Sequence, residues 1–205
     1  MTPTGLLLYT RSRALPQALA ALAAVTLLAV WAAHALDSYL DPDRRVPVVA
    51  LAPLLAAAVI GTSLHTASAE LDRTAVRPWW RRRPWWRRRA LHLLALTALA
   101  AALLPLAVLT SAQTFGPPAM IRNVLGCTGL TAGAAVFLGA RLSWLPVFGY
   151  VSAMYLGISG IPGGSLPAWA WLLEPGADGG ALTTAALVFV VGGSLYIARG
   201  ARPAP

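Results

Sequence analysis

The chain has no lysine, one cysteine, and only seven acidic residues among its 205. The absence of lysine rules out a phosphate-cradling loop of the form G-x-x-x-x-G-K-[ST], whose lysine must reach the phosphates. Cys127 has no second cysteine to pair with, so there is no internal disulfide framework and no CxxC metal site. The zinc spacing H-E-x-x-H and the nucleophile elbow G-x-S-x-G do not occur either. The few acids cluster in polar segments, which leaves no pair of carboxylates for acid–base chemistry and no acid to complete a serine–histidine arrangement. These absences predict a chain that is not an enzyme and carries no metal or cofactor of its own.

Apolar residues are plentiful. Hydrophobic residues make up 58% of the chain and charged residues 11%, and mean hydropathy is +0.66. A soluble domain of this size needs far more surface charge. A bilayer core is roughly 30 Å thick and takes about 20 apolar residues of helix to cross. Six apolar runs approach that length, at residues 15–36, 46–66, 90–110, 121–140, 145–161 and 181–198. The expectation is an all-α, polytopic membrane protein with six transmembrane helices in a single domain. Ala33-His34-Ala35 could imitate a signal-peptidase site, but the run before it exceeds the roughly 7–15 residues of a signal peptide, which favours a retained helix. Pro105 should kink the third run near its end, and Gly116-Pro117-Pro118 reads as a polar link before the fourth.

The net charge of +9 comes entirely from arginine. With the N-terminus inside, Arg11, Arg13, Arg73, Arg77, Arg81, Arg82, Arg83, Arg87, Arg88, Arg89, Arg141, Arg199 and Arg202 are cytoplasmic, and Arg44, Arg45 and Arg122 are outside. The positive-inside rule selects this orientation, with both termini cytoplasmic. The charge is thus explained by topology rather than by nucleic acid. Arginine without lysine, together with abundant alanine, points to a GC-rich bacterial genome and hence to the bacterial plasma membrane. No charged residue falls near the middle of a run, which weakens a proton-coupled carrier. His34, His65 and His92 lie near run ends and are expected to make interfacial hydrogen bonds.

Two segments stand out. The cytoplasmic loop at residues 67–89 contains Pro-Trp-Trp-Arg-Arg-Arg twice, as Trp79, Trp80, Arg81, Arg82 and Arg83 after Pro78, then Trp85, Trp86, Arg87, Arg88 and Arg89 after Pro84. Tryptophan prefers the headgroup zone and arginine the phosphates, so the hexads should lie flat on an anionic inner leaflet as a membrane anchor. Specific binding of an anionic lipid or an acidic partner is the sharper alternative. Just upstream, Glu70, Asp72, Arg73 and Thr74 follow the second run; on a continuing helix Glu70 would neighbour Arg73 and Thr74. They form either a solvated helix end or a docking surface. The external loop at residues 159–180 holds Gly160, Pro162, Gly163 and Gly164, then an apolar stretch with Trp169 and Trp171. That stretch is too short to span and suits an interfacial or re-entrant helix. Gly126, Gly129, Gly133 and Gly139 would let helices approach closely, within the chain or across a dimer.

Glu70, Arg73, Thr74 and Pro78 resemble the degenerate acidic, arginine, threonine and proline pattern of the coupling helix in bacterial ABC-2-type permeases, the membrane halves of ABC exporters. Residues 122–130, Arg-Asn-Val-Leu-Gly-Cys-Thr-Gly-Leu, are similar to a stretch in small actinobacterial permeases. The resemblance implies a six-helix bundle with short interfacial helices and a second permease copy or homologous permease as partner. It also implies a separate cytoplasmic ATP-binding subunit that carries ATP and magnesium and docks on residues 70–74. The chain is short for that family, and the hexads are not part of its usual pattern. The competing reading is a non-transporting membrane scaffold or accessory subunit that recruits a partner through its basic face. A phosphate- or lipid-handling enzyme ranks last for want of a catalytic acid or base.

Overall fold

The computed structural model describes residues 15–35, 46–65, 85–109, 115–158 and 168–203. Among them the structure is all-helical, with six α-helices: α1 (Leu15–Ala35), α2 (Val46–Ser63), α3 (Trp85–Leu103), α4 (Gly116–Leu138), α5 (Leu145–Ile158) and α6 (Gly179–Arg199). Two 3-10 segments complete it, Leu104–Val108 and Ala168–Leu173.

Four helical stretches are long and apolar enough to cross a membrane: Leu15–Ala35, Trp86–Val108, Gly116–Leu138 and Gly179–Arg199. The other two expected spans are shorter. The 14 residues of α5 rise only about 21 Å at 1.5 Å per residue, against a hydrocarbon core of roughly 30 Å. The fold is compatible with a membrane protein, carried by four long helices and two shorter ones.

Proline and glycine account for most departures from the expected boundaries. Pro117 and Pro118 do not form a link: they occupy the first turn of α4, where a missing N–H costs nothing and the fixed φ favours the helix. The helix therefore starts at Gly116, and Arg122 lies within it rather than at its aqueous edge. Around Pro105 the helix tightens from α to 3-10, beginning at Leu104. From Trp85 onward the second hexad forms the first turns of α3, and the next proline, Pro105, stands at the far end of that helix.

Central to the bundle is α4. One flank joins α1, α2, α3 and the Leu104–Val108 segment in a core that includes Leu22, Ile60, Leu93, Leu104 and Met120. The other flank, through Cys127, joins α2, α5, residues 170–173 and the start of α6 in a second core. A third face meets α6 at backbone distance. A Cβ on Gly129 would sit 2.5 Å from the Phe189 Cα, and one on Gly133 would lie 3.3 Å from the Gly192 Cα. The small residues of α4 thus pack within the chain.

Candidate functional site

The stripe of α4 that carries Gly126, Gly129 and Gly133 begins with Arg122, since positions 122, 126, 129 and 133 recur at helical spacing. Arg122 is 1% exposed and Asn123 beside it is fully buried. A buried arginine in an apolar helix is expensive, and its partners explain how it is tolerated.

Apart from Asn123, those partners are main-chain carbonyls at the end of the 3-10 segment before α6. Ala168–Leu173 is kinked at Ala170 (φ −92°, ψ 27°), and residues 170–173 are buried. The expected short helix before α6 is therefore inserted into the bundle; of residues 169–173, only Trp169 is substantially exposed. Trp171 lies with its ring on Gly126, where any side chain would overlap it, and stacks on Tyr150 with centroids 6.2 Å apart. Tyr150 in turn donates its hydroxyl hydrogen to the Trp169 carbonyl. With the segment pinned this way, its carbonyls face Arg122. Arg122 Nη2 donates to the carbonyls of Glu174 at 2.7 Å and Leu172 at 3.3 Å, and Nε donates to Asn123 Oδ1 at 3.1 Å. Asn123 Nδ2 donates to Leu172 O at 2.8 Å and to Val49 O at 3.0 Å.

The Val49 bond follows from the sequence of α2. In a regular helix the carbonyl of Val49 accepts from the N–H four residues on, and that residue is Pro53, which has none. Asn123 fills the gap from a neighbouring helix. Two adjacent polar residues of α4 thus tie α2 to the inserted segment.

One group is left over. Arg122 Nη1 is buried and has no hydrogen-bond partner. Among the described residues no carboxylate comes within ion-pairing distance of the guanidinium, although Glu174 and Asp178 act on it through space. An arginine cannot serve as an acid or base near neutral pH. What this arrangement can do is hold main-chain carbonyls and offer a cationic N–H to an anion.

Among the described residues the opposite end of the bundle carries only basic charges. Arg89 Nη1 donates to Ile197 O at 3.4 Å and its guanidinium packs on Gly200. Arg202 donates to Phe137 O at 3.2 Å through Nη1 and to Ala135 O at 2.9 Å through its main-chain N–H. Each arginine thus sits at a helix C-terminus, where the macrodipole favours a cation. Arg87 lies over the Trp86 ring at 5.6 Å. Arg87, Arg88, Arg89, Arg141, Arg199 and Arg202 belong to this end, and the only described carboxylates, Glu174 and Asp178, belong to the other.

Of the residues expected to act, Glu70, Asp72, Arg73, Thr74, Trp79, Trp80, Arg81, Arg82 and Arg83 lie outside the described residues. The helices that lead into and out of their loop are joined: Ser63 Oγ, which donates to Ile60 O at 2.6 Å, bonds His92 Nε2 at 3.1 Å. His92 is therefore buried between α2 and α3, whereas His34 bonds its own helix, at Val30 O. The Arg122–Asn123 pair was not anticipated as a site. Its signal was an Arg-Asn pair placed inside a helix by a Gly-Pro-Pro start, facing a helix with an internal proline.

Comparison with protein-family models, curated proteins and solved structures finds no match to this chain.

Proposed function

We propose that the chain is the membrane-spanning permease subunit of an ABC-type exporter in a bacterial plasma membrane. It pairs with a second permease copy or a homologous permease and is driven by a separate cytoplasmic ATP-binding subunit. The observation that carries this reading is the buried Arg122 gripping the carbonyls of Leu172 and Glu174, at the end of the kinked 3-10 segment inside the bundle. Broken backbone at membrane depth is tolerated only where protein buries it or it lines a cavity, and ionisable groups there mark translocation machinery by default. Support for the orientation comes from the charge distribution: the end with six arginines and no described acid faces the cytoplasm by the positive-inside rule. That places the Ser63–His92 contact at the root of the loop holding Glu70, Asp72, Arg73 and Thr74, where an ATPase subunit would dock.

The test is purification together with the products of neighbouring genes. The expected result is co-purification of an ATPase, lost on charge reversal at Glu70 and Arg73. If no ATPase follows the chain and both reversals leave complex formation untouched, the reading fails.

A scaffold or accessory role is the second reading. In its favour, every bond of Arg122 and Asn123 goes to main chain or to each other, as in a fixed structural clasp. A partner other than an ATPase, held by the arginine-rich end, would establish it.

A further inference from the structure

We propose that Arg122 is an anion-binding point, taking a carboxylate or phosphate group on its free Nη1 at the end of the bundle that carries Glu174 and Asp178. Three observations converge on it. The guanidinium is buried, with 1% of the residue exposed, so its charge cannot be left to solvent. Its Nε and Nη2 are fully engaged, which fixes the plane of the group and the direction of the remaining N–H bonds. Nη1 has no acceptor at all, and neither nearby carboxylate closes on it.

A buried charge without a counterion carries a desolvation penalty of several kcal/mol, which carbonyl-type acceptors only partly offset. Glu174 illustrates the mismatch. It accepts from Arg122 through its main-chain oxygen, not its carboxylate, and is only half-buried. A planar guanidinium held by three hydrogen bonds through Nε and Nη2, with Nη1 unfilled, is pre-organised for an oxyanion, and little side-chain entropy remains to be lost on binding. The turn through Gly176, at φ +64°, lies between Glu174 and the cap of α6 at Asp178, and it adjoins the Glu174 carbonyl that Arg122 holds. Glu174 and Asp178 at that turn would weaken an anion's binding without blocking it. The inference does not depend on the chain being a permease.

The anion could come from solution or from a lipid headgroup, and two arms separate these sources. In the first, the purified full chain in neutral detergent is titrated with inorganic phosphate or acetate at constant ionic strength, with thermal unfolding as the readout. In the second, the chain is placed in phosphatidylcholine nanodiscs with or without phosphatidylglycerol, and retained lipid is counted by native mass spectrometry. The expected result is stabilisation or lipid retention in one arm, lost in R122Q. E174Q keeps the main-chain acceptor and removes a repelling charge, so it should bind the same anion up to about fivefold more tightly. Should R122Q fail to fold, the E174Q comparison decides: unchanged affinity overturns the proposal. So does the absence of any anion effect in both arms, or an equal effect in R122Q.

Discussion

Asn123 donates to the carbonyl of Val49 the hydrogen bond that the helix of Val49 cannot supply, because Pro53 stands where the donor should be. An unpaired carbonyl in a water-free bundle costs about 1–3 kcal/mol. N123L should therefore destabilise the chain by at least that amount, since it also strips the buried Arg122 Nε of its acceptor. P53A restores an N–H four residues after Val49, so in its background the N123L penalty should shrink. A double-mutant cycle read by denaturant unfolding in detergent checks this, with a coupling of about 0.5–3 kcal/mol expected. An N123L penalty that is the same in the wild-type and P53A backgrounds would show that the bond does not compensate for the proline.

The crossing of α4 and α6 depends on glycine in a different way. A Cβ on Gly192 would overlap the Gly129 carbonyl oxygen, which is fixed main chain and cannot swing aside. G192A and G129A should each cost about 1–3 kcal/mol by forcing the helices apart. Gly149 of α5 has nothing within 4 Å of such a Cβ, so G149A should be neutral or stabilise by up to about 1 kcal/mol. Thermal unfolding of the three variants side by side separates close packing from a general effect of alanine on helices.

How much of this was legible in the sequence depends on the kind of signal. Long apolar runs give helices directly, because only length and apolarity are required, and four long candidate spans are present. That Pro105 would disturb its own helix was legible because proline acts locally, but where a kink was expected the structure has a 3-10 segment. Gly-Pro-Pro misled, since the same residues can end one element or begin the next, and only the helix that follows distinguishes the two. Burial of Trp171 against Gly126, and the Arg122–Asn123 pairings with residues about fifty and seventy-four positions away, depend on which helix faces meet. That information is absent from local pattern. The loop at residues 66–84, where the sequence placed its docking surface, lies outside the described residues.

The ends of α4 and α6 are built alike. Gly139 (φ 83°, ψ 162°) and Gly200 (φ 80°, ψ 172°) each donate their N–H back to the helix, to Ala135 O and Tyr196 O. This region of backbone space is closed to side chains at a cost of about 1–3 kcal/mol. G139A and G200A should each lose that much stability, whereas Gly179, at the exposed start of α6 with open space around it, should accept alanine freely. A loss at Gly200 well below that at Gly139 would mean that the chain past α6 readjusts, since the neighbour of Gly200 is the movable end of Arg89.

Orientation can be tested with the chain's own cysteine content. Cys127 is fully buried, so the unmodified protein should resist a membrane-impermeant maleimide in intact cells, and C127A should give a clean background. Ala177 lies in the exposed turn between Glu174 and Asp178, and Pro203 lies exposed just after Arg202. If the arginine-rich end faces the cytoplasm, A177C will be labelled in intact cells and P203C only after permeabilisation. The reverse pattern would place Arg122 and its neighbouring carboxylates on the inner face, and with them the binding point for any anion. Labelling of both positions from outside would mean that the two ends of α6 share one side of the membrane, which a helix of 21 residues spanning the bilayer cannot do.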